Sequence, residues 1–435
     1  MYVMLKRIQI NKAETVLEAI LKSSVINTFA RGFGYLKNLA IAIILGFNYQ
    51  TDAVFMAISL ISIFMIFVDV FDSAGIPNLV DAKTRSEYEF KKLAGFLFTF
   101  TTGLALTLII TAVIVYPLLS IIPVGFNEET KKYLREAYFL LLPYLFFSFF
   151  FHHFGAVLRS LRRFTHYFIG EFIFSLISFF FILLGLYLFK DYRIIPISMS
   201  IAQAFATVYI VLVAKNYIHL EIYIDEKIKL LLKHFLYLTA LYGVFHLFVL
   251  VDKAFASTLG EKGVSALTYG LLIATVPRRI FKLEHMAITS LSELKGSFRK
   301  VVFYMKKILL LAIPLMFVFM LLPEFIVKIL FGHGAFGLKD VHLTSEAVKY
   351  YSLSLPFMFA WPILYRTFQI INLLKPVFSV AIIGIIVNLV LNYILVIVYD
   401  LGILGICMGT LGAYIILTCG SIFFLYINNL RKSHV

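Results

Sequence analysis

The sequence predicts an all-α polytopic membrane protein of about twelve transmembrane helices in two six-helix lobes, with both termini in the cytoplasm. Three observations carry that prediction. Of its 435 residues, 61% are hydrophobic and 14% charged, whereas a water-soluble domain is about half apolar and about a quarter charged. Apolar runs of roughly 20 or more residues recur from about Val25 to Tyr426, each long enough to cross about 30 Å of hydrocarbon. The basic residues tend to alternate from one loop to the next.

Residues 1–24 carry Lys6, Arg7, Lys12 and Lys22 among mixed residues. They have neither the apolar stretch nor the cleavage site of a signal peptide and read as a cytoplasmic or interfacial segment. Spans follow near 25–46, 53–79, 94–122, 137–158, 165–189, 194–214, 234–258, 264–290, 307–330, 347–372, 377–399 and 402–427. The first six form an N-lobe over 25–220 and the last six a C-lobe over 221–435. The segments between spans hold only about a dozen residues, too few to bury a core, so no soluble domain is expected. Cys407 and Cys419 share the last apolar run and read as small packing residues without a disulfide.

The net charge of +15 would suit nucleic acid, but its distribution is a topology signal. Lys83, Arg85, Lys91, Lys92, Arg159, Arg162, Arg163, Lys227, Lys229, Lys295, Arg299, Lys300 and Lys375 fall in the even-numbered loops. The loop over 47–51 has no base and that over 259–263 only Lys262. The third loop departs from the trend with Lys131, Lys132 and Arg135. Cytoplasmic termini require an even number of spans, which agrees with the count from hydropathy.

A repeat at a spacing of about 213 residues divides the chain. Gly46 followed by Thr51-Asp52-Ala53 resembles Gly260 followed by Ser265-Ala266. Pro143 recurs as Pro356, and the basic turn Arg162-Arg163 as Lys375-Pro376. Parallel repeats of this kind enclose a central cavity in many transporters.

Ionisable groups inside apolar runs cost about 2.5–3.5 kcal/mol each on insertion scales, so they must face protein or water. Span eight concentrates them: Arg278, Arg279, Lys282, Glu284 and His285 follow Pro277. Arg278, Lys282 and His285 share a helical face, and three cations there suit a phosphate-bearing anion. A cytoplasmic basic cap at the end of a shorter span is the plainer alternative. Span one carries Arg31 and Lys37, about 13 Å and 22 Å from the entry near Lys22, and both read as cavity-lining. Asp69 and Asp72 on span two and Asp252 on span seven suit cation binding or proton relay, although Asp252 beside Lys253 could be a local ion pair. His152 and His153 read as hydrogen-bonded core residues, and Asn388 with Asn392, one turn apart, as bonded to neighbouring helices.

The chain lacks a P-loop, a metal-ligand spacing of His, Cys and carboxylates, and an external loop large enough for a glycosyltransferase or hydrolase site. No catalytic residue, metal or cofactor is therefore expected. Transport is favoured over the different-class alternative, a membrane glycosyltransferase or polymerase.

Residues 251–270, VDKAFASTLGEKGVSALTYG, closely resemble the seventh-to-eighth span junction of the MurJ (MviN) lipid II flippase family of the MOP exporter superfamily. Ala30-Arg31-Gly32-Phe33-Gly34 through Thr51-Asp52-Ala53 resembles that family's opening signature, and Leu330-Phe331-Gly332-His333-Gly334-Ala335-Phe336 its ninth-to-tenth junction. The resemblance implies the MOP fold, shared with MATE transporters: two lobes around a cavity that opens alternately to each side. It implies a multi-pass protein of the inner (cytoplasmic) membrane, monomeric, whose partners are membrane lipids and a polyprenyl-pyrophosphate glycolipid such as a lipid II-like peptidoglycan precursor.

Residue by residue, the resemblance makes Arg31 a cavity arginine, puts Lys37 where a second arginine is expected, and matches Asp52 to the family's aspartate after span one. The family's span-two arginine falls within residues 63–67, where this chain has no base, and its span-eight arginine falls on Leu271-Leu272. Arg279, seven residues beyond Leu272 on the same face, is the expected replacement. The family's two additional C-terminal spans have no counterpart here. Arg31, Lys37, Arg278, Arg279, Lys282 and His285 are the expected substrate-binding set, and Asp52, Asp69, Asp72, Asp252 and Glu284 the ion-coupling or cavity acids. Na⁺, H⁺ or the membrane potential would drive the cycle. An O-antigen or capsule-type flippase differs only in glycan, and a MATE-type drug antiporter would favour an acidic cavity.

Overall fold

Apolar runs separated by capping residues dictate a chain of helices, and the computed structural model has that architecture. It describes residues 16–281, 298–371 and 373–433. In the first half the helices are α1 (Val16–Leu45), α2 (Tyr49–Val70), α3 (Ile76–Arg85), α4 (Glu87–Leu119), α5 (Glu128–Leu140), α6 (Leu142–Ser160), α7 (Phe164–Phe189) and α8 (Ile194–Val213). In the second they are α9 (Glu226–Ala256), α10 (Gly263–Phe281), α11 (Phe298–Leu321), α12 (Pro323–Phe331), α13 (Leu338–Ser352), α14 (Leu355–Ile370), α15 (Leu374–Asn392) and α16 (Gly402–Ser433). A π-helical turn over Phe71–Gly75 joins α2 to α3, and a second, Tyr393–Val398, extends α15.

Local chemistry sets the boundaries. Asn48 Oδ1 accepts the Thr51 N–H at 2.9 Å while Thr51 Oγ1 accepts the Asn48 N–H at 2.9 Å, a reciprocal cap that starts α2. Ser86 Oγ accepts the Glu89 N–H to start α4, and Asp225 Oδ1 accepts the Ile228 N–H to start α9. The repeat prolines act alike: Pro143 begins α6 where α5 breaks, and Pro356 lies in the first turn of α14 just past the break from α13.

Every segment expected to cross the membrane is helical over most of its described part. Among the described residues, eight helical stretches are long and apolar enough to span a bilayer: Tyr49–Val68, Glu87–Leu119, Glu128–Ser160, Phe164–Phe189, Ile194–Val213, Phe298–Leu321, Lys375–Val398 and Gly402–Asn429. The other expected spans coincide with α1, α9, α10 and the broken pair α13–α14. Charges dilute their apolar character: Arg31 and Lys37 in α1, Asp252 and Lys253 in α9, Arg278 and Arg279 in α10.

The chain divides into two compact units. Unit 1 falls within Met1–Leu45, Ala57–Ser120 and Lys132–Gly243. In it α1 packs on α7, and α8 packs on both α6 and α7. Burial gains little between helices when lipid is as apolar as they are, so close packing has to hold them. Small residues supply it: a Cβ on Gly155 would fall 2.6 Å from the Tyr167 ring, and one on Gly170 2.5 Å from the Phe151 ring. Phe151, Phe154, Leu158, Tyr167, Ala206 and Ile210 form the resulting core.

Unit 2 comprises Gly46–Met56, Ile121–Lys131 and Val244–Val435. Its main contacts are α15 with α16, α10 with α13, and α11 with α14. Two short segments from the first half of the sequence therefore belong to this unit. Gly46, at φ +63°, lies against the Ala335 carbonyl, and the Gly125 N–H donates to Ser257 Oγ at 3.2 Å.

Candidate functional site

Asp252 lies near the end of α9 and is 5% exposed. Four side chains converge on it. Asn388 and Asn392, one turn apart on α15, each donate Nδ2–H to Asp252 Oδ1 at 3.0 Å. Thr410 of α16 donates to Oδ2 at 2.6 Å, and the Tyr351 hydroxyl of α13 donates to the same oxygen at 3.4 Å. Hydrogen bonds to a charged group contribute about 1.5–3 kcal/mol each, so this shell offsets the cost of keeping the carboxylate in an apolar helix bundle. All five residues belong to unit 2.

Asn388 Oδ1 and Asn392 Oδ1 are buried and have no hydrogen-bond partner among the described residues. Unmet buried acceptors are costly, and here two of them belong to amides whose N–H groups are bonded to one carboxylate. A Cβ on Gly409 would fall 1.9 Å from Asn392 Oδ1, so only glycine leaves room for that amide. A carboxylate, two amide carbonyls, a hydroxyl and a phenol form an oxygen-only donor set. Such a set fits a hard cation, and its single negative charge favours a monovalent one over Ca²⁺, which gathers several carboxylates. Among the described residues no cluster of three or more His, Cys, Asp or Glu exists that would suit a transition metal.

Lys253 turns away from Asp252, because successive helical residues point about 100° apart. Its buried Nζ donates to the Phe55 carbonyl at 3.0 Å and lies 5.9 Å from the Phe55 ring. Asp252 and Lys253 thus serve different neighbours instead of pairing with each other.

The second concentration of polar bonds surrounds Asp52, which is fully buried in the first turn of α2. Its Oδ2 accepts the Lys262 N–H at 2.7 Å, and its Oδ1 accepts the Ser265 N–H at 2.8 Å and the Ser265 hydroxyl at 2.5 Å. The carboxylate therefore caps the N-terminus of α10 from another helix, satisfying orphan N–H groups and complementing the helix dipole. Lys262, held at φ +79°, sends Nζ to the buried Asp340 at 2.7 Å. Ser265 Oγ also lies 3.2 Å from Thr51 Oγ1, so positions related by the sequence repeat meet. Phe47 packs against Tyr269 and Phe336 beside this clamp.

The expected cationic residues fall in separate units. Arg31, exposed on α1, donates Nε–H to Asn27 Oδ1 at 3.3 Å. Lys37, half-buried on the same helix, holds Nζ 5.5 Å from the Phe174 ring of α7. Arg278, half-buried on α10 just after Pro277, belongs to unit 2. Arg279 is part of α10, Asp69 of α2 and Asp72 of the following π turn. The side chains of Arg279, Asp69 and Asp72, and the whole of Lys282, Glu284 and His285, lie outside the described residues.

Tyr351 and Thr410 were not expected at the site. Neither is ionisable in the way that makes Asp252 conspicuous, and their separations from it, 99 and 158 residues, follow no motif spacing. The Asn388–Asn392 pair was visible as a polar turn within an apolar run, but its target was not. His153 is buried with Nδ1 3.4 Å from Thr101 Oγ1, as expected of a core histidine.

A family model described as lipid II flippase MurJ matches residues 41–434. A probable lipid II flippase MurJ of Aquifex aeolicus (strain VF5) is 27% identical over 338 residues, covering 75% of this chain and 67% of the relative. Another, of Rickettsia prowazekii (strain Madrid E), is 25% identical over 414 residues, covering 90% and 81%. Among solved structures, a lipid II flippase MurJ in an inward closed conformation matches with a TM-score of 0.80 at 24% identity, over 93% of this chain and 87% of that one. An inward-facing multidrug resistance MATE family transporter of the MOP superfamily matches with a TM-score of 0.74 at 15% identity, over 96% of this chain and 100% of that one. These two likenesses establish the all-helical MOP-type fold. With the family model matching nearly the whole sequence, the chain belongs to the lipid II flippase MurJ family of multi-pass membrane transporters.

Proposed function

We propose that the protein moves a lipid II-like precursor, a peptidoglycan unit on a polyprenyl pyrophosphate, from the inner to the outer leaflet of the cytoplasmic membrane by alternating access. It acts as a monomer with both termini in the cytoplasm, the orientation favoured by the basic even-numbered loops. The transport cycle is coupled to a monovalent cation held by Asp252, Asn388, Asn392, Thr410 and Tyr351. The observation that carries the coupling is the pair of unmet amide oxygens, Asn388 Oδ1 and Asn392 Oδ1, on amides bonded to a buried carboxylate.

A bound cation would supply one positive charge against the Asp252 carboxylate and a partner for the amide oxygens. The residues do the rest. Thr410, Tyr351 and the two asparagines draw α13, α15 and α16 onto α9 through Asp252. Lys253, next along α9, carries the position of that helix to Phe55, one turn beyond the Asp52 clamp. Release of Ser265 and Lys262 from Asp52 is the step that frees the first turn of α2 from α10. The bases Arg31, Lys37, Arg278, Arg279, Lys282 and His285 meet the anionic diphosphate during the cycle. With the inside negative, outward movement of an anionic headgroup is downhill by about 2.3 kcal/mol per charge per 100 mV.

The test is a proteoliposome assay of lipid II movement with imposed Na⁺, H⁺ and voltage gradients, on the wild type and Asp252→Asn. The wild type should respond to one cation gradient and the variant should not. An equal response from both would end the coupling role of Asp252. Movement of another polyprenyl-linked glycan but not of lipid II would replace the substrate.

A further inference from the structure

The third loop breaks the charge pattern of the chain, and the structure shows what its bases surround. In unit 1 the later part of α5 and the turn between α7 and α8 enclose a cavity of about 520 Å³, lined by Lys132, Arg135, Glu136, Phe139, Leu140 and Arg193. Lys132, Arg135 and Phe139 recur at helical spacing and so share one face of α5.

Its charges are not balanced. Arg193 is tied to Asp191, with Nε 2.9 Å and Nη2 2.7 Å from the same carboxylate oxygen, Oδ2. That fork holds the Asp191 carboxyl below its ordinary range, so the pair stays ionised. Glu136 accepts the Tyr192 hydroxyl at 2.6 Å and lies 4.0 Å from Arg193. Lys132 and Arg135 are exposed and, among the described residues, make no ion pair. Lys131, by contrast, is neutralised by Glu128 at 2.9 Å. With Arg193 paired to Asp191 and Glu136 set against the Lys132 and Arg135 charges, the opening carries a net excess of one positive charge.

Charged and apolar surfaces also meet at the cavity. Phe139 and Leu140 lie where α5 becomes apolar, two turns beyond Lys132. Nearby helix ends carry exposed apolar side chains: Leu118 in the last turn of α4, and Tyr187, Leu188 and Phe189 at the end of α7. Aromatic and apolar fringes of this kind mark the bilayer interface. A cationic rim over an apolar floor suits a ligand with a phosphate above a hydrocarbon tail, and basic pockets between membrane helices recognise such headgroups.

We propose that Lys132, Arg135 and Arg193 form an outer-leaflet site for the phosphate or diphosphate ester of a membrane lipid, with Phe139 and Leu140 against its apolar portion. The binding rests only on these side chains. The site's place in the outer leaflet follows from the proposed orientation, with both termini in the cytoplasm. The lipid is either bulk anionic phospholipid or the polyprenyl diphosphate product as it leaves.

Native mass spectrometry of the full chain would measure retention of phosphatidylglycerol, phosphatidylcholine and undecaprenyl diphosphate by the wild type, Lys132→Ala/Arg135→Ala, Lys132→Arg/Arg135→Lys and Lys131→Ala. At about five-fold per basic residue, the double alanine variant should lose roughly 30-fold in retention of the preferred anionic lipid. The charge-preserving variant and Lys131→Ala should keep it. Preference for phosphatidylglycerol identifies bulk lipid, and preference for the diphosphate identifies the departing product. Retention unchanged in the double alanine variant, or equal for phosphatidylcholine, overturns the site. This equilibrium reading needs no transport, so it is separable from failure of the flippase reading. An impermeant thiol reagent should label Lys132→Cys in intact cells above the parent background. Labelling only after lysis would overturn the outer-leaflet assignment.

Discussion

Lys253 donates its Nζ–H to the main-chain carbonyl of Phe55 at 3.0 Å, while the preceding residue, Asp252, gathers Asn388, Asn392, Thr410 and Tyr351. One stretch of α9 therefore holds a polar cage on one side and the start of α2 on another. Phe55 lies three residues after Asp52, so the same stretch of α2 meets α9 through Lys253 and α10 through the clamp. Replacing Lys253 by Met keeps the bulk and removes the donor. Lipid movement in proteoliposomes should then lose its dependence on the cation gradient, by about ten-fold, while cation binding itself persists. Loss of binding instead would assign Lys253 to the cage.

Cation binding to the native fold alone should raise its melting temperature, since one-site linkage at 100 times the dissociation constant stabilises by about 2.7 kcal/mol. Wild-type protein should melt higher in NaCl than in choline chloride of equal ionic strength. Asp252→Asn should melt at one temperature in both salts. A sodium shift that survives in the variant would place the ion elsewhere.

Gly409 tests the cage without touching its charge. A Cβ there would fall 1.9 Å from Asn392 Oδ1 and must displace that amide. Gly409→Ala should abolish the sodium-dependent melting shift. Gly32→Ala, whose Cβ would have no atom within 4 Å, should leave the shift intact. Equal behaviour of the two would show that Asn392 has no part in binding.

Asp52 can be tested by amide exchange. Asp52→Ala leaves the Lys262 and Ser265 N–H groups without their acceptor, at a cost of about 1–3 kcal/mol. Exchange of amides 262–266 should accelerate by about 5- to 150-fold. Exchange at the C-terminal end of α16, remote in sequence, should be unaffected. An unchanged rate at 262–266 would mean that water already serves those groups.

Much of the fold was legible because lipid imposes a simple rule: a spanning segment must be apolar and must satisfy its own backbone. That rule located the apolar segments, whereas the amphipathic α3 and the polar start of α5 fall outside it, and the proline pair Pro143 and Pro356 marked where both repeats break. It was blurred at α1, α9 and α10, where Arg31, Lys253 and Arg278 dilute the apolar signal. For the site, Asp252 was conspicuous as a carboxylate in a hydrophobic run. Thr410 and Tyr351 resemble many other buried hydroxyls, and only folding brings them to Asp252. Lys132 and Arg135 read as an imperfection in the charge pattern, since a loop sequence does not reveal that a distant turn closes around it.

Thr51 and Ser265 stand at matching places in the two repeats, and their hydroxyl oxygens are 3.2 Å apart. The repeat counterpart of Asp52 is Ala266, fully buried. A second carboxylate at 266 would add another negative charge to an interior that already holds one. The two halves are therefore not interchangeable at this junction: the first supplies the acid, and the second the amides of Lys262 and Ser265 that donate to it.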